Sequence, residues 1–212
     1  MATRKAYLLT TRVESERTQF SKGVLESVGF TVIPFLAIPS TSPVLSNKES
    51  LYCIYETIAQ GDDEWAYVFE DDINLLEPID LNEILQYENI SQYFFYLGVC
   101  KYHRNRGITS SNVFIQGKNV FVASGKVRGT HAFGLSKTGA AELVELFKIL
   151  SRTIDPADMI LEEYSRLRPA NVVRYDLESY IPGHRGVFFQ DRRRFPSQIP
   201  LNLQTKVYPN VS

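Results

Sequence analysis

The chain has 212 residues, of which 44% are hydrophobic and 22% are charged, and its formal net charge is −1. These values are ordinary for a globular protein and exclude the disordered and fibrous classes. The near-neutral charge gives no reason to expect nucleic acid or an anionic membrane as the main partner. Both cysteines, Cys53 and Cys100, lie in apolar runs, so we expect two buried thiols in a reducing compartment.

The first residues lead directly into an apolar segment, without the pattern of a secretory signal peptide. No apolar stretch reaches the roughly 18 residues that a membrane span needs. We therefore expect a cytoplasmic protein without a membrane span.

Strand and helix patterns alternate in the first half of the chain. Apolar runs predict buried strands over residues 7–11, 30–36, 65–69 and 93–99. Helical spacing of apolar residues predicts helices over 14–28 and 46–60 and a shorter helix that starts at Asp80. Gly29 and Gly61 mark two of the helix ends, and Ser46 with Glu49 forms a capping-box pattern.

The second half has a more mixed pattern. Segments 112–115 and 120–123 flank a turn-like sequence and predict a hairpin, and residues 126–135 continue as extended chain. Ser136 is expected to cap a helix, and Asp155 is expected to cap another that begins at Pro156. A late strand is predicted over 172–175, and the chain after Pro182 is expected to be a loop.

This order predicts one α/β domain with a mainly parallel central sheet, flanking helices and a mixed second half. Residues 1–100 are expected to form a nucleotide-binding half, and residues 101–212 an acceptor-binding half. Ligands of open α/β sheets bind at the carboxyl ends of the strands. We therefore expect Thr10, Thr11 and Arg12, which follow the first strand, to lie near the acidic run 70–72. Their backbone and side-chain donors are candidates for binding the base, ribose or phosphate of a nucleotide; the alternative for Arg12 is a surface arginine.

Three consecutive carboxylates, Glu70, Asp71 and Asp72, follow the third strand. Such a cluster repels itself and becomes favourable when a divalent cation lies among the oxygens. Mg²⁺ and Mn²⁺ prefer one or two carboxylates together with phosphate oxygens and water. Strand alternation would turn Asp71 away from the other two, so Asp72 is the preferred metal ligand and Asp71 is assigned to the donor ribose or sugar. The alternative is a solvated acidic turn.

The chain resembles glycosyltransferase family 25, which includes lipooligosaccharide and procollagen galactosyltransferases. The resemblance lies in five short blocks in the family's order: Leu8–Arg17; the 46–60 helix leading into Val68–Asp72; Arg128–Ser136 with Gly139, Ala140 and Leu143; Pro156–Asp158; and Gln190 with Ser197 and Ile199. One departure is Tyr55-Glu56, which stands where the family often has a Ser-His pair, so any role of that pair is in doubt.

The resemblance implies a GT-A fold, a nucleotide-sugar donor with UDP as its carrier, and a divalent metal, Mn²⁺ or Mg²⁺. It also implies a glycan or glycoprotein hydroxyl as acceptor and inversion at the anomeric carbon. Compact members of the family occur in large DNA viruses that glycosylate their own capsids. A chain of that kind would act in the host cytoplasm.

The resemblance also assigns roles to single residues. Asp158 matches the family's Pro-Val-Asp and is the first candidate for the catalytic base, although an acid in the first turn of a helix also favours the helix dipole. Asp191 is the second candidate, within a basic cluster at 190–194 that either closes over the phosphates or the acceptor or is a solvated tail. His184 is a candidate third metal ligand beside Glu70 and Asp72.

The remaining assignments are weaker. His131 is either a contact to the donor sugar or a structural histidine. Arg17 is expected on an exposed helix face. His103, within a basic stretch at 101–106, is expected to be solvated or to border the diphosphate as part of a mobile loop.

Two other functions compete with sugar transfer. A nucleotidyl- or phosphoryl-transferring enzyme would use the same acidic cluster, but no phosphate-binding glycine loop follows the first strand. A non-catalytic module that binds nucleotide sugars would need no base beside the metal cluster.

Overall fold

The structure of the protein, a computed structural model, describes residues 3–100, 107–125, 127–151 and 156–198. The predictions for Asp155 as a helix cap, for the 101–106 stretch with His103 and for Ile199 lie outside these residues. Within the described ranges, no helix is long and apolar enough to cross a bilayer.

Helices and strands alternate along the chain. The first half contains β1 (Arg4–Thr10), α1 (Glu16–Val28), β2 (Phe30–Leu36), α2 (Pro43–Gln60), β3 (Trp65–Glu70), β4 (Ile73–Leu75), α3 (Leu81–Ile90), β5 (Phe94–Tyr96) and β6 (Gly98–Cys100). The second half contains β7 (Ile108–Ile115), β8 (Lys118–Ala123), β9 (Ala132–Ser136), α4 (Lys137–Leu150), α5 (Ala157–Leu167), β10 (Ala170–Val172), β11 (His184–Gly186) and β12 (Phe188–Gln190).

A large mixed sheet forms the centre of a single α/β domain, as predicted. Its eight strands lie in the order β2-β1-β3-β9-β5-β10-β8-β7. Strands β2, β1, β3, β5 and β10 run in one direction, and β9 and β8 run against them. The carboxyl ends of β1 and β3 therefore meet at one edge of the sheet.

Apolar residues cover both faces of this sheet. One face packs against α2, α4 and α5 through side chains such as Leu51, Leu143 and Ile160. The other face packs against α1 and α3 through residues such as Leu25 and Ile84. Burial of both faces explains why the central strands are continuous apolar runs instead of alternating ones.

Helix caps confirm several of the predicted boundaries and correct one. Gly29 ends α1 in a left-handed conformation with φ of 109°, and the side chains of Asp80 and Ser136 cap α3 and α4. The prediction of Ser46 as the cap of α2 is wrong. The helix begins one turn earlier, because Ser42 caps it and Pro43 occupies the first turn, while Ser46 Oγ donates to the carbonyl of Ile38.

Two other predictions needed correction. The expected strand over 93–99 is two short strands, β5 in the large sheet and β6 in a separate pair with β11. The chain after Pro182 is not a plain loop, because β11 pairs with β6 and β12 pairs with β4. These pairings place the C-terminal part of the described chain directly beside the acidic run.

The predicted hairpin is present as β7 and β8, joined by Gln116 and Gly117 with φ of 50° and 75°. Both cysteines are free thiols. Cys100 is buried as expected, whereas Cys53 is only partly buried.

Candidate functional site

The acidic run lies at the carboxyl edge of the sheet. β3 ends at Glu70, and Asp71 and Asp72 form the turn that leads into β4. β1 lies beside β3 in parallel register, with Leu9 opposite Glu70. Thr10 therefore reaches the turn, and its Oγ1 donates to Oδ2 of Asp71 at 2.6 Å. The predicted proximity of Thr10 to the acidic run is confirmed.

Arg17 is the cation of this site, and its prediction as an exposed residue is wrong. Its side chain is only 14% exposed, with Nε 2.6 Å from Oδ1 of Asp71 and Nη2 2.9 Å from Oδ2 of Asp72. The second residue of α1 faces the acidic turn because α1 packs beside β1 and β4. The arginine-bearing block after the first strand was the only sequence signal for this role.

Glu70 has a different set of partners. Its Oε1 accepts from Thr130 at 2.9 Å, and its Oε2 accepts from Gln190 Nε2 at 2.7 Å. Strand alternation ends with β3, so Asp71 and Asp72 share Arg17 while Glu70 points to β12 and the segment before β9. The prediction that Asp71 turns away from both neighbours is therefore wrong.

The electrostatics of the turn single out Asp72. Its side chain is 2% exposed, and Oδ1 is buried without a hydrogen-bond partner among the described residues. Burial, followed by the charge of Glu70, raises the pKa of Asp72 to about 7, although Arg17 acts in the opposite direction. Burial also raises the pKa of Glu70, against its two hydrogen bonds. A buried carboxylate oxygen without a donor is suited to an added cation.

The predicted metal set is only partly supported by this geometry. Among the described residues, no group of three or more His, Cys, Asp or Glu side chains is arranged to hold a metal ion. Glu70, Asp72 and His184 thus do not form a three-residue cage. The free oxygen of Asp72 fits Mg²⁺ or Mn²⁺ held by one carboxylate and by donor phosphates, which is a usual arrangement for these hard ions.

A buried polar network adjoins Glu70. Sγ of Cys100 lies 3.8 Å from Nδ1 of His131 and 3.8 Å from Nδ1 of His184, and it donates to Oε1 of Gln190 at 3.8 Å. Gln190 in turn donates to Glu70. The prediction of His184 as a metal ligand stays untested, and its ring lies on the cysteine side of this network.

Both histidines in the network are neutral at pH 7. Burial, with a smaller effect of His184, lowers the pKa of His131 to about 3. Burial and the charge of Arg192 lower the pKa of His184 to about 4. The Nε2 of His131 lies 3.3 Å from the carbonyl oxygen of Phe188, to which it donates. These contacts favour the structural alternative for His131 over a direct contact to the donor sugar.

The close packing of this region depends on Gly98. A Cβ there would lie 2.1 Å from the carbonyl oxygen of Phe188 and 2.6 Å from Nε2 of His131. Only glycine lets β6 pass this close to β12. The position of Gln190 against Glu70 therefore depends on a residue in a different part of the chain.

The segment 191–198 lies across the N-terminal end of α1. The carbonyl of Pro196 accepts from Nη1 of Arg17 at 3.0 Å, and Thr11 contacts Gln198 at 3.3 Å. Thr11 and Arg12 are exposed at the end of β1. They follow Thr10 in the chain, but neither makes the hydrogen bond to the acidic turn that Thr10 makes.

Both carboxylate oxygens of Asp191 accept hydrogen bonds from neighbouring residues. Its Oδ2 accepts from Asn74 at 3.1 Å, and its Oδ1 accepts from the backbone N–H of Arg194 at 3.2 Å. Its own N–H donates to the carbonyl of Asp72 at 2.6 Å. With both carboxylate oxygens engaged in this way, Asp191 is the weaker of the two candidates for the base.

Asp158 lies in the first turn of α5. Desolvation raises its pKa, and the nearby charge of Arg128 acts in the opposite direction. Arg128 also pairs with Glu162 at 3.0 Å, and its carbonyl accepts from the N–H of Cys100 at 2.6 Å. Asp158 thus lies near Arg128, which contacts the Cys100 network through its backbone carbonyl.

The contacts of Thr130 and Gln190 with Glu70 were not predicted from the sequence, although each residue falls in a block of the family resemblance. Thr130 follows Gly129, whose φ of 132° disfavours any other residue. The resemblance therefore marked the right segments, but not the contacts that they make.

Comparisons with known proteins agree with the resemblance. The model of glycosyltransferase family 25, described as "LPS biosynthesis protein", matches residues 48–161, more than half of the chain. A search of curated protein sequences found no match.

Several solved structures are similar at low identity. A glycosyltransferase involved in the glycosylation of the major capsid of PBCV-1 is 9% identical, with a TM-score of 0.45 over 72% of this chain and 68% of that one. The CTP:phosphocholine cytidylyltransferase of Streptococcus pneumoniae is 12% identical, with a TM-score of 0.49 over 92% and 97%. The inositol-1-phosphate CTP transferase of T. maritima is 11% identical, with a TM-score of 0.42 over 81% and 85%.

Proposed function

Because the chain belongs to glycosyltransferase family 25, we propose that it is a metal-dependent transferase of the GT-A type that moves a sugar from a UDP-sugar to a hydroxyl of a glycan or glycoprotein. We further propose that the reaction inverts the anomeric carbon and takes place in the cytoplasm. The observation that carries the proposal is the buried, unpartnered Oδ1 of Asp72 at the carboxyl edge of the sheet.

Asp72 would hold Mn²⁺ or Mg²⁺ through this oxygen. The ion would supply Lewis-acid stabilisation of the negative charge that develops on the leaving diphosphate. Before an ion binds, the protein keeps the carboxylate in place through Arg17 on Oδ2 and through the bond from the N–H of Asp191 to the carbonyl of Asp72. Glu70, fixed by Thr130 and Gln190, adds negative charge to the site without offering a free oxygen.

The donor nucleoside would lie against the end of β1. Thr11 and Arg12 are exposed there and offer a hydroxyl, backbone groups and a guanidinium. Thr10 is committed to Asp71, so it would fix the turn instead of binding the donor directly. This assignment keeps Thr10 in the site but changes its role from ligand contact to support.

Asp158 is the proposed base that takes the proton from the acceptor hydroxyl. A carboxylate with a raised pKa is a better proton acceptor than a free surface aspartate at neutral pH. Its position on α5 places it near Arg128, whose carbonyl accepts from the N–H of Cys100 in the network beside Glu70. The acceptor hydroxyl would have to bind within hydrogen-bond reach of this carboxylate.

The test compares wild type with Asp72→Ala and with Asp62→Ala, an exposed acid before β3. Thermal shifts with Mn²⁺ plus UDP, CTP or ATP, and hydrolysis of a panel of UDP-sugars, are measured for each protein. We expect Mn²⁺ and UDP to stabilise wild type and Asp62→Ala but not Asp72→Ala, and hydrolysis to follow the same pattern.

Each protein is compared with its own ligand-free melting temperature, because the substitutions themselves change stability. Stabilisation by CTP or ATP but not by UDP would favour the nucleotidyl-transferring alternative. Binding of UDP-sugars without any hydrolysis or transfer would favour the non-catalytic module. Full hydrolysis by Asp72→Ala would refute the metal assignment.

A further inference from the structure

Arg17 makes the closest charged contacts at the acidic turn. Its guanidinium bridges two neighbouring carboxylates, with Nε on Asp71 and Nη2 on Asp72, and its remaining Nη1 donates to the carbonyl of Pro196. The side chain is 14% exposed, and the two acids are 8% and 3% exposed. All three nitrogens of the guanidinium therefore contact either the acidic turn or the segment beside it.

The charge balance of the turn explains why a cation is needed there. Asp71 raises the pKa of Glu70, and Glu70 and Asp71 both raise the pKa of Asp72. Arg17 lies in direct contact with two of the three carboxylates. Arg192 adds a second positive charge near Glu70 and Asp72. The unpartnered Oδ1 of Asp72 lies on the same carboxylate whose Oδ2 Arg17 occupies.

We propose that Arg17 is a positioning residue that serves as a resident cation: it holds Asp71 and Asp72 in place before the donor arrives, and it gives up Asp72 when a divalent cation binds. The inference rests on the proposed function, because it takes Asp72 as the metal ligand. The contact with Asp71 is retained throughout, so that Arg17 stays tethered beside the diphosphate.

This arrangement makes Arg17 and the metal compete. A positive charge within a few ångströms of a bound cation weakens its binding, and the effect is larger at a buried site than at the surface. A residue with a purely structural role would have the opposite signature, because its loss would loosen the carboxylates and weaken metal binding. The sign of the change in metal affinity therefore separates the two roles.

The experiment measures the affinity for Mn²⁺ alone, by electron paramagnetic resonance of the free ion, for wild type and three variants. Arg17→Gln removes the charge, and Arg17→Lys keeps it. Lys22→Gln removes a cation from the same helix, where Lys22 pairs with Glu26 at 3.6 Å. All proteins are compared at one pH and one ionic strength.

We expect Arg17→Gln to bind Mn²⁺ at least about tenfold more tightly than wild type, which corresponds to about 1.4 kcal/mol. Arg17→Lys should stay close to wild type. Lys22→Gln should change the affinity by less than about twofold, because exposed charges contribute little. Equal or weaker Mn²⁺ binding by Arg17→Gln would overturn the proposal and leave the proposed function intact.

A second measurement uses wild type alone, in case Arg17→Gln does not fold. Titration with diamagnetic Mg²⁺ should shift the guanidinium NMR resonances of Arg17, assigned by their loss in Arg17→Lys. Binding of Mg²⁺ without a shift would overturn the proposal. If wild type bound neither ion, even with UDP present, the proposed function would fail together with the role of Arg17.

Discussion

Asp72→Asn should make the metal-free protein more stable at pH 8. The substitution keeps the shape of the side chain and removes a charge that is 2% exposed. The pKa of Asp72 is raised from 3.8 to about 7, mainly by burial. One pKa unit corresponds to about 1.4 kcal/mol, so the rise in pKa means that ionised Asp72 destabilises the folded protein by at most about 4 kcal/mol.

The net gain should be smaller than this limit. The new amide would put an NH₂ group where Oδ1 has no hydrogen-bond partner, and a buried donor left unpaired there would cost about 1–3 kcal/mol. We therefore expect Asp72→Asn to raise the free energy of unfolding by about 1–3 kcal/mol. For a domain of this size that corresponds to a rise of roughly 3–9 °C in melting temperature.

The raised pKa of Asp72 determines whether wild-type stability rises or falls with pH. The folded protein holds the proton of Asp72 more tightly than the unfolded chain, so wild-type stability falls as the pH rises from about 4 to about 7. Lowering the pH from 8 to 5 should stabilise wild type relative to the variant by about 2–3 kcal/mol, which removes or reverses the difference between them.

The assay is thermal unfolding followed by circular dichroism at pH 8 and pH 5, with a chelator present. Asp62→Asn, at an exposed site, serves as the control and should change stability by less than about 0.5 kcal/mol. The reasoning would be refuted if Asp72→Asn were no more stable than wild type at pH 8. A difference of the same size at both pH values would refute it equally.

Three further predictions concern the fold and the base. Ser136→Ala removes the hydroxyl that accepts from the N–H of Gly139, and denaturant unfolding should show a loss of about 1 kcal/mol. Glu83→Gln breaks the buried ion pair with Arg174, and the same assay should show a loss of about 3–5 kcal/mol. Asp158→Asn should slow sugar transfer at least about 10²-fold while the Mn²⁺-dependent thermal shift with UDP is unchanged. Unchanged turnover in that variant would remove Asp158 from the role of base.

Features set by neighbouring residues were predictable from the sequence. The bounds of β2, the left-handed end of α1 at Gly29 and the caps at Asp80 and Ser136 all follow from local patterns. A cap uses atoms within one helical turn, so its signal is complete in a few letters. The start of α2 is the exception, because Ser42 followed by Pro43 is also a cap pattern, and the helix begins there and not at Ser46.

Features set by distant residues were not predictable in this way. β11 and β12 are only three residues each and pair with partners far away in the chain. Arg17 looked like an exposed helix residue, since nothing around it in the sequence shows that α1 faces the acidic turn. The family resemblance drew attention to these segments, but it carried no information about which atoms meet.

The contacts of the acidic turn show why local features were predictable from the sequence and the site was not. Its supports come from Arg17, Thr130 and Gln190, which lie 54, 60 and 120 positions from the carboxylates that they hold. None of these contacts exists until the sheet, α1 and the β12 segment have come together, so no local segment can favour the turn by itself. Burying three adjacent acids is unfavourable, and the complete fold must supply the compensation. A site that stays charged and partly unsatisfied under these conditions is typical of preorganised binding of an ion or charged ligand. The same long-range design explains why short blocks spread along the chain, and not one continuous motif, identify the family.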